Sequence, residues 1–211
     1  YQAELLLFSL EHFGKQSRES ILVHCTNRVK PEFLLFLSEN NYAYKIIEPF
    51  LDGKYCNKIR QLESFEGLEK AGGVFFLDTD MFVLAPLQVP YPECFQAKTV
   101  DGPNPPLSVI KNIFETAGIK LPPVIETDWV MEDSFTVSTN FNGGFYYIPN
   151  AYISIMREAW QAQASWLFQR PELFATESQA IHTDQVAMAM AVATSNIQAQ
   201  FIASNYNCPT H

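Results

Sequence analysis

Residues 72–87 read GGVFFLDTDMFVLAPL, and the order of residue types in that stretch points to the fold. Gly72-Gly73 breaks the preceding pattern, and Val74-Phe75-Phe76-Leu77 is a continuous apolar run of the length of a buried strand. Asp78 and Asp80 follow at once, separated only by Thr79. Carboxylates at the end of a hydrophobic strand are costly to desolvate unless something compensates their charge. In open α/β sheets, ligands sit outside the carboxyl ends of the strands. Hard carboxylate oxygens suit Mg²⁺ or Mn²⁺, so Asp78 and Asp80 predict a divalent cation shared with substrate phosphates. The plainer alternative is a strand running into a solvated turn, with both acids facing water. The apolar run that resumes at Met81-Phe82-Val83-Leu84 favours the metal site.

Upstream of this strand, helical and extended patterns alternate. Leu5, Leu6, Phe8, Leu10 and Phe13 mark a helix over Tyr1 to Phe13, stopped by Gly14. Ser20 to Thr26 reads as a strand, Pro31 opens a helix over Glu32 to Leu37, and Ala43 to Pro49 reads as a second strand. Tyr55, Ile59, Leu62, Phe65 and Leu68 fall at helical spacing. Such alternation predicts an α/β fold with a mostly parallel central sheet and helices on both faces.

Downstream the pattern degrades from Pro86 to about Phe135, where most of the thirteen prolines lie. Only Leu107 to Ala117 looks helical there. A long irregular segment in a compact domain points to a lid or binding loop, so 86–135 is expected to serve the acceptor. Order returns with a strand over Asn140 to Pro149. A helix over Ala151 to Leu167 follows, with Ile155, Ala159 and Ala162 on one stripe. His182 to Ala193 is an almost wholly apolar, hence buried, helix, and Gln198 to Ala203 reads as a last strand.

At 211 residues the chain supports one substantial core, and a single domain over 1–211 is the default. The net charge of −9 argues against a nucleic-acid partner, which demands basic patches. An acidic protein that takes a phosphate-bearing substrate needs a cation as intermediary. Cys25, Cys56, Cys94 and Cys208 are too dispersed for a zinc or redox pair. The apolar settings of Cys25 and Cys94 predict buried free thiols and a reducing, cytoplasmic location, at most peripheral to a membrane. No apolar run reaches the ~20 residues of a membrane span.

Three short blocks together resemble GT-A-fold, nucleotide-sugar-dependent glycosyltransferases. The likeness is nearest to the retaining group that includes bacterial lipopolysaccharide galactosyltransferases and glycogenins. Leu77-Asp78-Thr79-Asp80 matches the family's metal motif, Asn142-Gly143-Gly144 its Asn-Ala/Gly-Gly block, and Asp184-Gln185 its Asp-Gln block. The resemblance implies a Rossmann-like GT-A domain that moves a hexose from a UDP-sugar donor to a glycan, lipid or protein acceptor. Asp80 would bind the Mn²⁺ or Mg²⁺ directly, and Asp78 the ribose or the cation's shell. Asn142, Asp184 and Gln185 would face the transferred sugar, and Gly143 and Gly144 would let the donor approach the backbone. Asn57-Lys58 resembles a donor-contacting position in related enzymes, against the reading of Lys58 as a plain surface lysine. Each of the other two blocks has a structural alternative too: a turn or bulge at Asn142-Gly143-Gly144, and helix-dipole complementation at Asp184. His24, His182 and the three tryptophans, Trp129 among them, read as structural.

Rival readings remain. A haloacid-dehalogenase-like phosphatase also ends a strand in Asp-x-Asp, but Phe82 stands where that family wants Thr or Val. A sugar nucleotidyltransferase would need a glycine-rich phosphate loop, and a non-catalytic sugar-nucleotide-binding domain is the reading without chemistry. The family opens with a strand that would precede Tyr1, and takes a third cation ligand from a late His-x-x-Gly context that His211 lacks. The chain is therefore expected to be a piece of a longer protein with little turnover alone.

Overall fold

The computed structural model describes residues 1–65, 72–127, 134–174, 176 and 180–203. Leu68, Trp129, Cys208 and His211, weighed above, lie outside the described residues.

The first part of the chain is helix α1 (Gln2–His12), strand β1 (Leu22–Thr26), helix α2 (Pro31–Glu39) and strand β2 (Ala43–Ile47). Leu6, Leu7 and Leu10 turn inward from α1, and at its end Gly14 is required. A Cβ there would stand 2.7 Å from the Leu10 carbonyl oxygen. Pro31 sits in the first turn of α2, where its missing N–H costs nothing. The helix carries the chain back so that β1 and β2 pair in parallel. The helical spacing from Tyr55 resolves into one short α-helix, α3 (Asn57–Arg60), tightening into a 3₁₀ turn over Gln61–Phe65.

The remaining elements are β3 (Gly73–Leu77), β4 (Phe95–Thr99), α4 (Leu107–Thr116), β5 (Val124–Glu126), β6 (Phe135–Val137), β7 (Phe141–Pro149), α5 (Ile153–Phe168), α6 (Thr183–Thr194) and β8 (Ala199–Phe201). Strands β5 and β6 form a small antiparallel pair. The central sheet runs β3-β7-β4-β8. Its β7 is antiparallel to both neighbours, and only β4 and β8 are parallel. The expected mostly parallel sheet is therefore corrected to a mixed one. Helix–strand alternation holds as far as β3; β7 then inserts between β3 and β4 in the opposite direction, a pairing that needs no helical crossover.

Segment 86–135 also differs from its reading. It holds β4, a strand at the centre of the sheet, of which Phe95 to Lys98 are buried. On α5 the buried stripe is Ile153, Met156, Trp160, Ala164 and Leu167, not Ile155, Ala159 and Ala162; Ile155 is exposed. That stripe packs on α6, whose residues Thr183 to Val192 are all buried, and both helices cover the sheet around Phe95, Phe141, Tyr146 and Ile148. Cys25 and Cys56 are buried and free, and Cys94 is only half-buried.

Among the described residues, β1 pairs only with β2, and β3 only with β7. The two sheets are joined by side chains. The Phe65 ring lies 5.9 Å from the His24 ring of β1 and 5.8 Å from the Phe76 ring of β3, and His24 Nε2 shares a 2.8 Å hydrogen bond with Ser64 Oγ. Val74, Phe75 and Leu77 of β3 are half-buried, and Phe76 is buried.

Candidate active site

The carboxyl end of β3 meets the start of β7 and the first turn of α6. Asp78 N–H donates to the Gly144 carbonyl at 3.0 Å, and Met81 N–H closes a turn on the Asp78 carbonyl at 3.2 Å. Thr79 and Asp80 are the exposed corners of that turn. Asp80 has no hydrogen-bond or ion-pair partner among the described residues. The strand-end acids are thus not buried together: Asp78 is half-covered and Asp80 stands in solvent.

The compensating charge is Lys58, projecting from α3. Its ammonium lies 3.1 and 3.2 Å from the two Asp78 carboxylate oxygens, 3.3 Å from Asp184 Oδ2, and donates to the Gly143 carbonyl at 3.2 Å. The Lys58 side chain is only 14% exposed and that of Asp184 6%, so this is no surface lysine. Burial opposes the ammonium charge, but Asp184 and Asp78 outweigh it and lift the Lys58 pKa above its ordinary value. Burial pushes the Asp184 carboxyl up; Lys58 pulls it back, and Asp78 adds to the rise. Of the two acids that share the ammonium, Asp184 is the more buried and so carries the larger desolvation cost.

Local sequence explains the placement. Asp184 opens α6, where a negative charge complements the helix dipole. Trp160 on α5 donates its indole N–H to the Asp184 backbone carbonyl at 2.7 Å, fixing that first turn against the core. Gly143 is where the ammonium approaches the backbone: a Cβ there would stand 3.1 Å from Lys58 Nζ.

Other expected site residues serve the frame. Asn142 Oδ1 accepts from Gly144 N–H at 3.0 Å, and its amide donates to Asp101 Oδ2 at 3.3 Å. Gln185 donates to the Asn104 carbonyl and to Asn140 Oδ1, both at 3.0 Å. Asn57 Oδ1 accepts from Phe50 N–H at 2.8 Å. His182 Nε2 accepts from the Asn104 amide at 2.8 Å, and burial lowers its pKa. Lys58, Asp78, Asp184, Gly143 and Gly144 therefore converge, while Asn142, Gln185 and Asn57 hold the segments around them.

Two features escaped the sequence reading. Asp101 forms a buried ion pair with Lys98 of β4, and beyond Lys98 an open cavity of about 270 Å³ lies against Val100, Ile125, Glu126 and Phe201. Tyr146 of β7 is fully buried between Phe95 and Trp160, and its hydroxyl has no hydrogen-bond partner among the described residues. In a strand of aromatics it reads as core. Among the described residues no group of three or more His, Cys, Asp and Glu is placed to hold a metal, and no helix is long and apolar enough to cross a membrane.

No curated protein and no solved structure matches the chain significantly. A family model does, that of the Rhodobacterales glycosyltransferase domain, and its match over residues 1–196 takes in every residue of the Lys58 centre. The chain belongs to that glycosyltransferase family.

Proposed function

We propose that the domain transfers a hexose from a nucleoside-diphosphate sugar, of the UDP-sugar type, to an acceptor hydroxyl, in the manner of retaining GT-A enzymes. The observation that supports this most is the Lys58 centre. A buried ammonium at the carboxyl end of β3, shared by Asp78 and Asp184 beside Gly143, is suited to a substrate with both phosphate and hydroxyl groups. Lys58 would meet the diphosphate, and Asp184, on the other side of the ammonium, would accept from hydroxyls of the sugar. Family membership sets aside the phosphatase alternative.

A divalent cation fits this donor set if it arrives with the diphosphate. Mg²⁺ and Mn²⁺ sites of this kind need one or two protein carboxylates, the rest of the shell being phosphate oxygens and water. Asp80, exposed and unpartnered among the described residues, and Asp78 would supply them. Such a cation would neutralise the diphosphate and stabilise it as a leaving group. We assign the acceptor to the open cavity beside Lys98, because the Lys98–Asp101 pair is hydrogen-bonded to Asn142 and so adjoins the donor side.

The test is calorimetric titration of UDP, with and without Mn²⁺, into the wild-type chain and Asp80→Ala. Wild type should bind UDP more tightly with Mn²⁺, and Asp80→Ala should lose that gain while keeping its thermal midpoint. Equal Mn²⁺ dependence in both proteins would remove the cation from Asp80.

A further inference from the structure

Lys58 has three N–H donors, and three groups already take them: the Asp78 carboxylate, the Asp184 carboxylate and the Gly143 carbonyl. A phosphate can be added only if one of the three is released. Asp78 is half-exposed and can turn to water or to a cation. Asp184 is buried, and a buried carboxylate without a donor is expensive.

A second donor stands at the same place. A Cβ built on Gly143 would lie 3.1 Å from Lys58 Nζ, 3.7 Å from the Tyr146 hydroxyl and 4.0 Å from Asp184 Oδ2. The three groups thus surround one point above Gly143, and of them only the Tyr146 hydroxyl lacks a partner among the described residues. A fully buried hydroxyl with no hydrogen bond is a cost to the free protein.

We propose that Tyr146 is a positioning residue for Asp184: when the substrate's phosphate draws the Lys58 ammonium off Asp184 as well as off Asp78, the Tyr146 hydroxyl replaces it as donor to the Asp184 carboxylate. The orphaned hydroxyl of the free state is then satisfied in the bound state, and Asp184 keeps its orientation toward the sugar. This inference rests on the nucleoside-diphosphate reading above.

Tyr146→Phe removes only the unpartnered oxygen, and the probe is UDP with Mn²⁺. The free variant should melt at the wild-type temperature or higher, since it loses a buried unsatisfied group. Its UDP dissociation constant should rise about tenfold, the size of a hydrogen bond to a charged acceptor. In an Asp184→Asn background the same substitution should cost clearly less, because the charged acceptor is gone. Unchanged UDP affinity in Tyr146→Phe overturns the proposal. So does a lower melting temperature of the free variant, which would give the hydroxyl a structural partner. An equal cost in both backgrounds overturns the assignment to Asp184. Absence of UDP binding to wild type, in contrast, sinks the donor reading itself, and this inference with it.

Discussion

Lys58 is the residue on which the centre balances, because two carboxylates and a carbonyl depend on one ammonium. Lys58→Met keeps the volume and removes the charge, leaving Asp184 buried and uncompensated. The variant should lose about 3 kcal/mol, the scale for breaking a buried pair by removing one partner. The loss has a predictable pH dependence. Asp184 already has a raised pKa in the fold, and without Lys58 it rises further. An acid whose folded pKa exceeds its unfolded value binds protons preferentially in the fold, so stability returns as pH falls. Thermal midpoints of variant and wild type should converge as pH is lowered from neutrality; a constant gap would rule out the ion pair as the cause. Gly143→Ala tests the approach from the other side. Its Cβ would press on Lys58 Nζ, the free end of a flexible side chain, so the fold gives way cheaply. Calorimetry should show UDP binding weakened several-fold, with the thermal midpoint close to wild type.

The elements show which features a sequence can display. Strand β3 was legible because its apolar run ends abruptly in acids, and α6 because almost nothing polar interrupts Val186 to Ala193. Strand β4 was not. Gln96 and Lys98 alternate with Phe95 and Ala97, which reads as a polar surface, yet all four are buried. The polar pair is satisfied from the flanking loops, Gln96 by the Tyr91 carbonyl at 2.7 Å and Lys98 by Asp101. Lys58 reads as a surface lysine because its partners stand 20 residues away at Asp78 and further still at Asp184. Close approach between elements is equally silent, and Gly73 on β3 gives a test. A Cβ there would overlap the Tyr147 ring and stand 2.7 Å from the Ile148 carbonyl oxygen on β7. The backbone neighbour cannot swing aside, so Gly73→Ala should cost about 1–3 kcal/mol or more. Urea midpoints would check it, and an unchanged midpoint would mean that the β3–β7 contact is looser than drawn.

Across the whole molecule, the direction of β7 was beyond reach of local pattern, because it is set by pairing with two strands far away in sequence. The join between the two sheets has a chemical signature. Burial first, and Lys45 second, hold His24 at a pKa of about 4 against an ordinary 6.5. A histidine held neutral in the fold contributes stability above its unfolded pKa and loses it as pH falls toward the folded value. Wild type should therefore soften between pH 6.5 and about 4, and His24→Gln, which keeps a polar partner for Ser64 but does not titrate there, should soften less. Parallel melting curves for both proteins would show that the join does not sense acid. The same join leaves one long side of β1 and one of β3 without a neighbouring strand among the described residues. Backbone N–H and C=O groups in such a row are a template for any extended chain that meets them. An extended segment laid along either row would gain main-chain hydrogen bonds without displacing any described strand.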